Sequence, residues 1–278
     1  MTLLRSIAMA FSLFSRIPMP HIDWKPASMR YMMAAFPLIG LAIGLLIWGW
    51  VALCAALGLN AIVLSAGITL IPLLVTGGIH LDGFCDVVDA QSSHAEPQRK
   101  REILKDPHIG AFAAIGVVCY VLAYFACATQ LDFGIASSGF AMENLLPASL
   151  FSPAGTGMRV IVMLCIIQVL TRTGSGIATT AFAKASENGM LAMEHDSAHA
   201  KPVIVALGII AALCMGCAFV CWPQAAIVVA LVWAVSLPVL NLFAKRQFGG
   251  MSGDIAGFYL QTCELALVAL LALVQLIG

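Results

Sequence analysis

The sequence predicts an all-α fold, a polytopic integral membrane bundle of about seven transmembrane helices. Two features of composition and one of pattern carry that prediction. Only 10% of the 278 residues are charged, against about 25% in a typical soluble domain. Apolar residues make up 61%, more than a water-soluble globule of this size could bury. They also fall in runs long enough to cross a bilayer, which takes about 20 residues. Disorder is excluded, because it needs low hydrophobicity and high net charge. The 14 basic and 14 acidic residues cancel, so there is no basic field to draw nucleic acid, and no nucleic-acid partner is expected.

The opening stretch to Arg16 is periodic and closes on Ile17-Pro18-Met19-Pro20. It reads as an amphipathic helix on the membrane surface, within an interfacial arm at 1–31, and no cleavable signal peptide is expected. Seven spans follow at 32–57, 59–79, 109–129, 158–180, 202–222, 225–243 and 254–277. In the fourth, Thr171-Arg172-Thr173-Gly174-Ser175-Gly176 interrupts the apolar run, so a broken helix is expected there. Such a break is tolerated only against protein or a wet cavity. Seven spans place thirteen of the fourteen basic residues on one side, leaving only Arg159 on the other. The positive-inside rule then puts the N-terminus, an 80–108 acidic loop and a 244–254 glycine-rich loop in the cytoplasm, and a 130–157 loop outside. The whole chain, 1–278, forms one domain without a soluble module. No internal repeat is visible, which weighs against transporter folds built from paired halves. The nine cysteines lie mostly in apolar runs, and Cys214-x-x-Cys217 has no second ligand pair, so it reads as two small hydrophobes.

Charge is rare here, which makes Asp82, Asp86 and Asp89 conspicuous. At i, i+4 and i+7 they share one helical face, where like charges oppose one another unless a cation joins them. Mg²⁺ does so naturally, taking carboxylate oxygens and bridging to substrate phosphates. Carboxylates simply facing water are the plain alternative. His80 is open to three roles: general base, ligand, or interfacial histidine with a satisfied hydrogen bond. The basic cluster at 99–105 ends in Lys105 and suits anionic lipid. Asp106, before Pro107, either starts a turn or completes the metal site.

A second polar site precedes the last span. Gly249-Gly250-Met251-Ser252-Gly253-Asp254 is a glycine-rich turn feeding a helix N-terminus, where free N–H groups suit phosphate. Asp254 is either the N-cap or, with a cation, a metal ligand. Glu264 lies about 15 Å deeper along the helix, where a carboxylate is paired or functional. Arg172 is expected either as a phosphate clamp, the favoured role, or as the partner of Glu264.

Together the 77–89 stretch, Glu102-Ile103-Leu104-Lys105-Asp106 with Gly110, and Gly249 to Asp254 resemble the cobalamin synthase family. Phe14-Ser15-Arg16-Ile17-Pro18-Met19-Pro20 and Phe36-Pro37-Leu38-Ile39-Gly40 resemble its opening. Ala90 and Gln261 depart from the pattern, which has Gly and Glu there. The resemblance implies an enzyme of the cytoplasmic (inner) membrane that joins adenosylcobinamide-GDP to α-ribazole or its 5′-phosphate, releasing GMP, with Mg²⁺ as cofactor. It implies catalytic roles for Asp82, Asp86, Asp89 and Asp106, to which His80 is added as a possible proton acceptor. Asp82, Asp86, Asp89 and Asp254 are the expected metal ligands. Arg172, Lys105, Gly250 and Gly253 are expected at the substrate phosphates, and Glu264 is a buried polar group. A homo-oligomer is left open. The rivals are a CDP-alcohol phosphotransferase, a membrane prenyltransferase and a secondary transporter.

Overall fold

A computed structural model describes residues 2–20, 29–133, 155–185 and 199–277. Most of the expected 130–157 loop lies outside the described residues, as do 21–28 of the N-terminal arm. Among the described residues there are ten helices and, beyond them, one isolated two-residue bridge. Six helices are long and apolar enough to cross a membrane, or seven if one bent pair counts as a single span.

Helix α1 (Thr2–Phe14) is amphipathic. Met9 and Ala10 pack against Met32, Met33, Val203 and Leu207, while Leu3 and Leu4 stay exposed. This is the form of a helix laid along an interface. The first span, α2 (Met32–Leu57), ends at Gly58 with φ 64°, a left-handed closure that glycine adopts without strain. Asn60 then caps α3 (Ala61–Thr76), accepting from Val63 N at 3.0 Å.

At Gly77 and Gly78, with φ 65° and 80°, the chain turns by 93° into α4 (Ile79–Ser92). The sequence places a loop from residue 80; the structure places a helix there. The 16 residues of α3 cover about 24 Å at 1.5 Å per residue, less than the roughly 30 Å of a bilayer's hydrocarbon core. After the right-angle turn α4, with its three aspartates, packs against the helices at Gly253–Ile277 and Ala111–Thr129. Helix α5 (Pro97–Ile103) follows, with Pro97 in its first turn. Next come α6 (Ala111–Thr129), α7 (Thr156–Ala181), α8 (Ala200–Cys221), α9 (Pro223–Phe248) and α10 (Gly253–Ile277). Helix α9 runs past its expected end at 243, with Lys245 and Arg246 in its last turn. There they complement the negative end of the helix dipole. The 244–254 loop therefore shrinks to a short turn.

Helix α7 is the central post, packed against α2, α8, α9 and α10. It is continuous where a break is expected. The hydroxyls of Thr171, Thr173 and Thr179 donate to carbonyls one turn back, at Ile167 (2.9 Å), Val169 (2.8 Å) and Ser175 (3.0 Å). These three hydroxyls are thus satisfied inside the helix, and the stretch is buried in protein on its other faces. Gly40 and Gly44 of α2 bring the two helices together. A Cβ at Gly40 would strike the Gln168 carbonyl, and one at Gly44 would lie 2.8 Å from the Cys165 Cα. Small residues four apart allow such close approach in membranes. The outer faces of α6, α8 and α9 carry exposed Ile115, Leu122, Ile209, Leu213, Leu231 and Val235, as lipid contact requires.

Candidate active site

The acidic helix α4 crosses the first turns of α10 with backbones in contact. A Cβ on Gly83 would stand 2.8 Å from the Asp254 Cα, and one on Gly257 would stand 2.8 Å from the His80 carbonyl oxygen. Two glycines, one per helix, thus set Asp254 beside Asp82 and Asp86, close enough for their charges to act on one another. Asp82 is exposed, and Asp86 and Asp254 are half-buried. Burial first, then the charges of Asp254, Asp82 and Asp89, push the Asp86 carboxyl up to about 6. Among the described residues no Lys or Arg pairs with Asp82, Asp86 or Asp254. Three carboxylates opposing one another without a counter-charge make an oxygen-donor set suited to a hard cation. No group of three metal-ligating side chains forms a ready cage among the described residues. That still fits Mg²⁺, which keeps its waters and binds through one or two carboxylates plus substrate phosphates.

The remaining expected site residues are distributed differently. Asp89 faces α6 and caps it, one oxygen accepting from Gly110 N at 2.5 Å and the other from Ala113 N at 2.8 Å. Asp106 is exposed and turned onto His108, accepting from its backbone N–H at 3.0 Å and meeting its ring Nδ1 at 2.7 Å. Those bonds hold its carboxyl below the usual range. His80 is buried between Phe14 and Phe36, with ring centroids 6.0 and 5.4 Å away. Its Nε2 has no hydrogen-bond partner. Burial, helped by Arg172, lowers its pKa to about 3. Of the three roles open to His80, this geometry favours none that needs solvent or substrate; the ring locks α1 and α2 to the start of α4.

Arg172 takes the partner role and not the clamp role favoured from sequence. It is 1% exposed, donates to Glu264 Oε2 at 3.3 Å, and also donates to the Gln168 carbonyl at 2.9 Å and side chain at 2.8 Å. Glu264 further accepts from Tyr124 Oη at 3.0 Å and Gln168 Nε2 at 2.8 Å. This network ties α6, α7 and α10 together in the interior, where an unpaired charge would be costly. Lys105 is exposed just beyond α5.

The glycine turn also differs from expectation. The N–H groups of Gly249, Gly250 and Met251 donate to Lys245, Ala244 and Ala183 carbonyls, so they do not present a phosphate cradle. Met251 and Lys184 form the isolated parallel bridge. A Cβ on Gly250 would run into the backbone of Lys184 at 2.6 Å. Ser252 is the residue that caps α10, accepting from Ile255 N at 3.3 Å, and this frees Asp254 from that duty. Gly253 is exposed at the first position of α10.

Two basic side chains given no site role from the sequence reach the glycine turns. Arg101 donates to the Phe248 carbonyl at 2.9 Å and lies against Gly249. Arg16 lies across Gly77. Neither carries a spacing signal, because each meets its glycine across a long stretch of chain. Gln168 was findable, as a polar residue one turn from Arg172 inside an apolar run.

A sequence model of the cobalamin-5-phosphate synthase family matches residues 6–273. The chain belongs to that family. Among similar proteins, one from Lachnoclostridium phytofermentans is 34% identical over 94% of this chain and 91% of its own length. Another, from Clostridium botulinum, is 32% identical over 95% of each chain. A third, from Clostridium perfringens, is 28% identical over 97% of this chain and 98% of its own. All three are named adenosylcobinamide-GDP ribazoletransferase. No solved structure matches. For a member of this family, the phosphotransferase, prenyltransferase and transporter readings gain no support.

Proposed function

We propose that this chain is an adenosylcobinamide-GDP ribazoletransferase, joining adenosylcobinamide-GDP to α-ribazole or its 5′-phosphate and releasing GMP. The observation that carries the reading is the glycine-mediated crossing of α4 and α10, which puts Asp254 with Asp82 and Asp86 in a chain whose relatives bear that name.

In this reading the ribazole hydroxyl oxygen attacks the phosphorus on the cobinamide side of the diphosphate. The new P–O bond forms as the bond to the bridging oxygen breaks, and GMP leaves with that oxygen. Asp86 accepts the hydroxyl proton on a carboxylate oxygen, since a carboxyl pushed up to about 6 suits a base near neutral pH. Asp82 and Asp254 would hold Mg²⁺. When bound, the ion supplies positive charge to the phosphate and leaving oxygens. The basic loops favour an inner-membrane protein with this site facing the cytoplasm.

The test uses purified protein in lipid vesicles with adenosylcobinamide-GDP and α-ribazole. GMP release is expected to require Mg²⁺ and to fall at least about 100-fold in Asp82→Asn and Asp254→Asn, a scale set by lost electrostatic stabilisation of the transition state. Near-normal rates in both variants, or full activity in chelator, would sink the assignment.

A further inference from the structure

A reaction on a diphosphate needs fixed positive charge near the acids. Of the two basic residues nominated from sequence, Arg172 does not supply it, since it is closed into the Glu264 network, and Lys105 lies exposed just beyond α5. Arg16 is placed differently. Its backbone N–H donates to the Val75 carbonyl at 2.7 Å, which pins it to the end of α3. Its side chain then crosses the face of Gly77, with Nε 2.5 Å from where a Cβ would be. Gly77 also has the positive φ that glycine tolerates. The first turn of α4 begins at Gly78 and closes at Asp82, whose N–H donates to the Gly78 carbonyl at 2.8 Å. The turn against which Arg16 lies thus opens the helix whose first turn carries Asp82. Yet it pairs with no carboxylate among the described residues. An exposed arginine whose backbone is pinned at this turn, where the chain enters a helix bearing unpaired carboxylates, is open to an anion.

We propose that Arg16 binds a phosphate oxygen of the diphosphate substrate beside Asp82. This rests on the transferase reading above. The guanidinium fork suits phosphate, and a lysine would keep the charge without the fork. A lipid headgroup offers the same phosphate-ester chemistry, so the test separates the two sources. Wild type, Arg16→Gln and Arg16→Lys are assayed in phosphatidylcholine vesicles and in vesicles containing phosphatidylglycerol. In Arg16→Gln the KM for adenosylcobinamide-GDP should rise about 10- to 100-fold, the worth of one charged hydrogen-bonding group. Inhibition by GDP should weaken in parallel, the KM for α-ribazole should hold, and both vesicle types should agree. Arg16→Lys should fall between, and it carries the test if Arg16→Gln does not reach the membrane. An unchanged KM for the diphosphate substrate, an equal rise in both KM values, or a defect confined to one lipid composition would overturn the proposal. If wild type released no GMP, the transferase reading would fall; direct GDP binding to wild type and Arg16→Gln would still decide the role of Arg16, and equal affinities would overturn it.

Discussion

Glu264 holds three helices with one carboxylate. Its oxygens take hydrogen bonds from Tyr124 on α6 and from Gln168 and Arg172 on α7. Glu264→Ala would strand the Arg172 guanidinium in the interior, a loss of about 3–5 kcal/mol for a broken buried pair. Replacing both partners, as Glu264→Leu with Arg172→Met, should recover much of that loss. Thermal unfolding in detergent checks the difference; equal melting temperatures for the single and double variants would refute the pairing. At this scale the sequence was informative about which residues matter and poor about what each one touches. Asp82, Asp86 and Asp254 stood out because charge is scarce, and the structure gathers them. Asp89 stood out on the same spacing but turns to the N–H groups of Gly110 and Ala113. Its neighbour across the fold, and not its register on α4, decides its role. Arg172 had two readings, and only the position of Glu264 across the bundle chooses between them.

At the level of helices, the α4–α10 crossing is the critical contact. The atoms a Cβ at Gly83 would meet are backbone atoms of Asp254, which cannot rotate away, so the helices themselves must separate. Gly83→Val is expected to cost about 1–3 kcal/mol, as overpacking does, and to reduce GMP release while the protein still inserts. Wild-type rates in Gly83→Val would show that the crossing does not set the site. The spans were legible from apolar run length, and most of their ends fall within a few residues of expectation. Two elements were not. Helix α7 looked broken because its hydroxyls and glycines are polar or flexible in isolation, but the hydroxyls bond back to their own helix and the glycines let neighbours approach. The 80–108 stretch was placed as a loop between spans, although its aspartates share one helical face; the structure makes it two helices after a right-angle turn.

For the molecule as a whole, the same few charges bear on orientation. Alkaline phosphatase fused after Lys105 should be inactive in cells, and a fluorescent protein fused there should glow, if that surface is cytoplasmic. The opposite pair of results would invert the topology. The family too was legible over most of the chain, because its motifs carry the chemistry and lie at the ends of apolar segments, where polar residues are easy to see. What could not be read was how those ends meet.

That meeting has a consequence for how the enzyme is made. Asp82 and Asp86 are translated early, while Asp254 opens the final helix. A ribosome must reach residue 254 before the third carboxylate exists. That last segment must then enter the membrane and seat against α4. Every product of stalled synthesis or proteolytic clipping before α10 lacks Asp254, so the three carboxylates meet only once α10 is seated against α4.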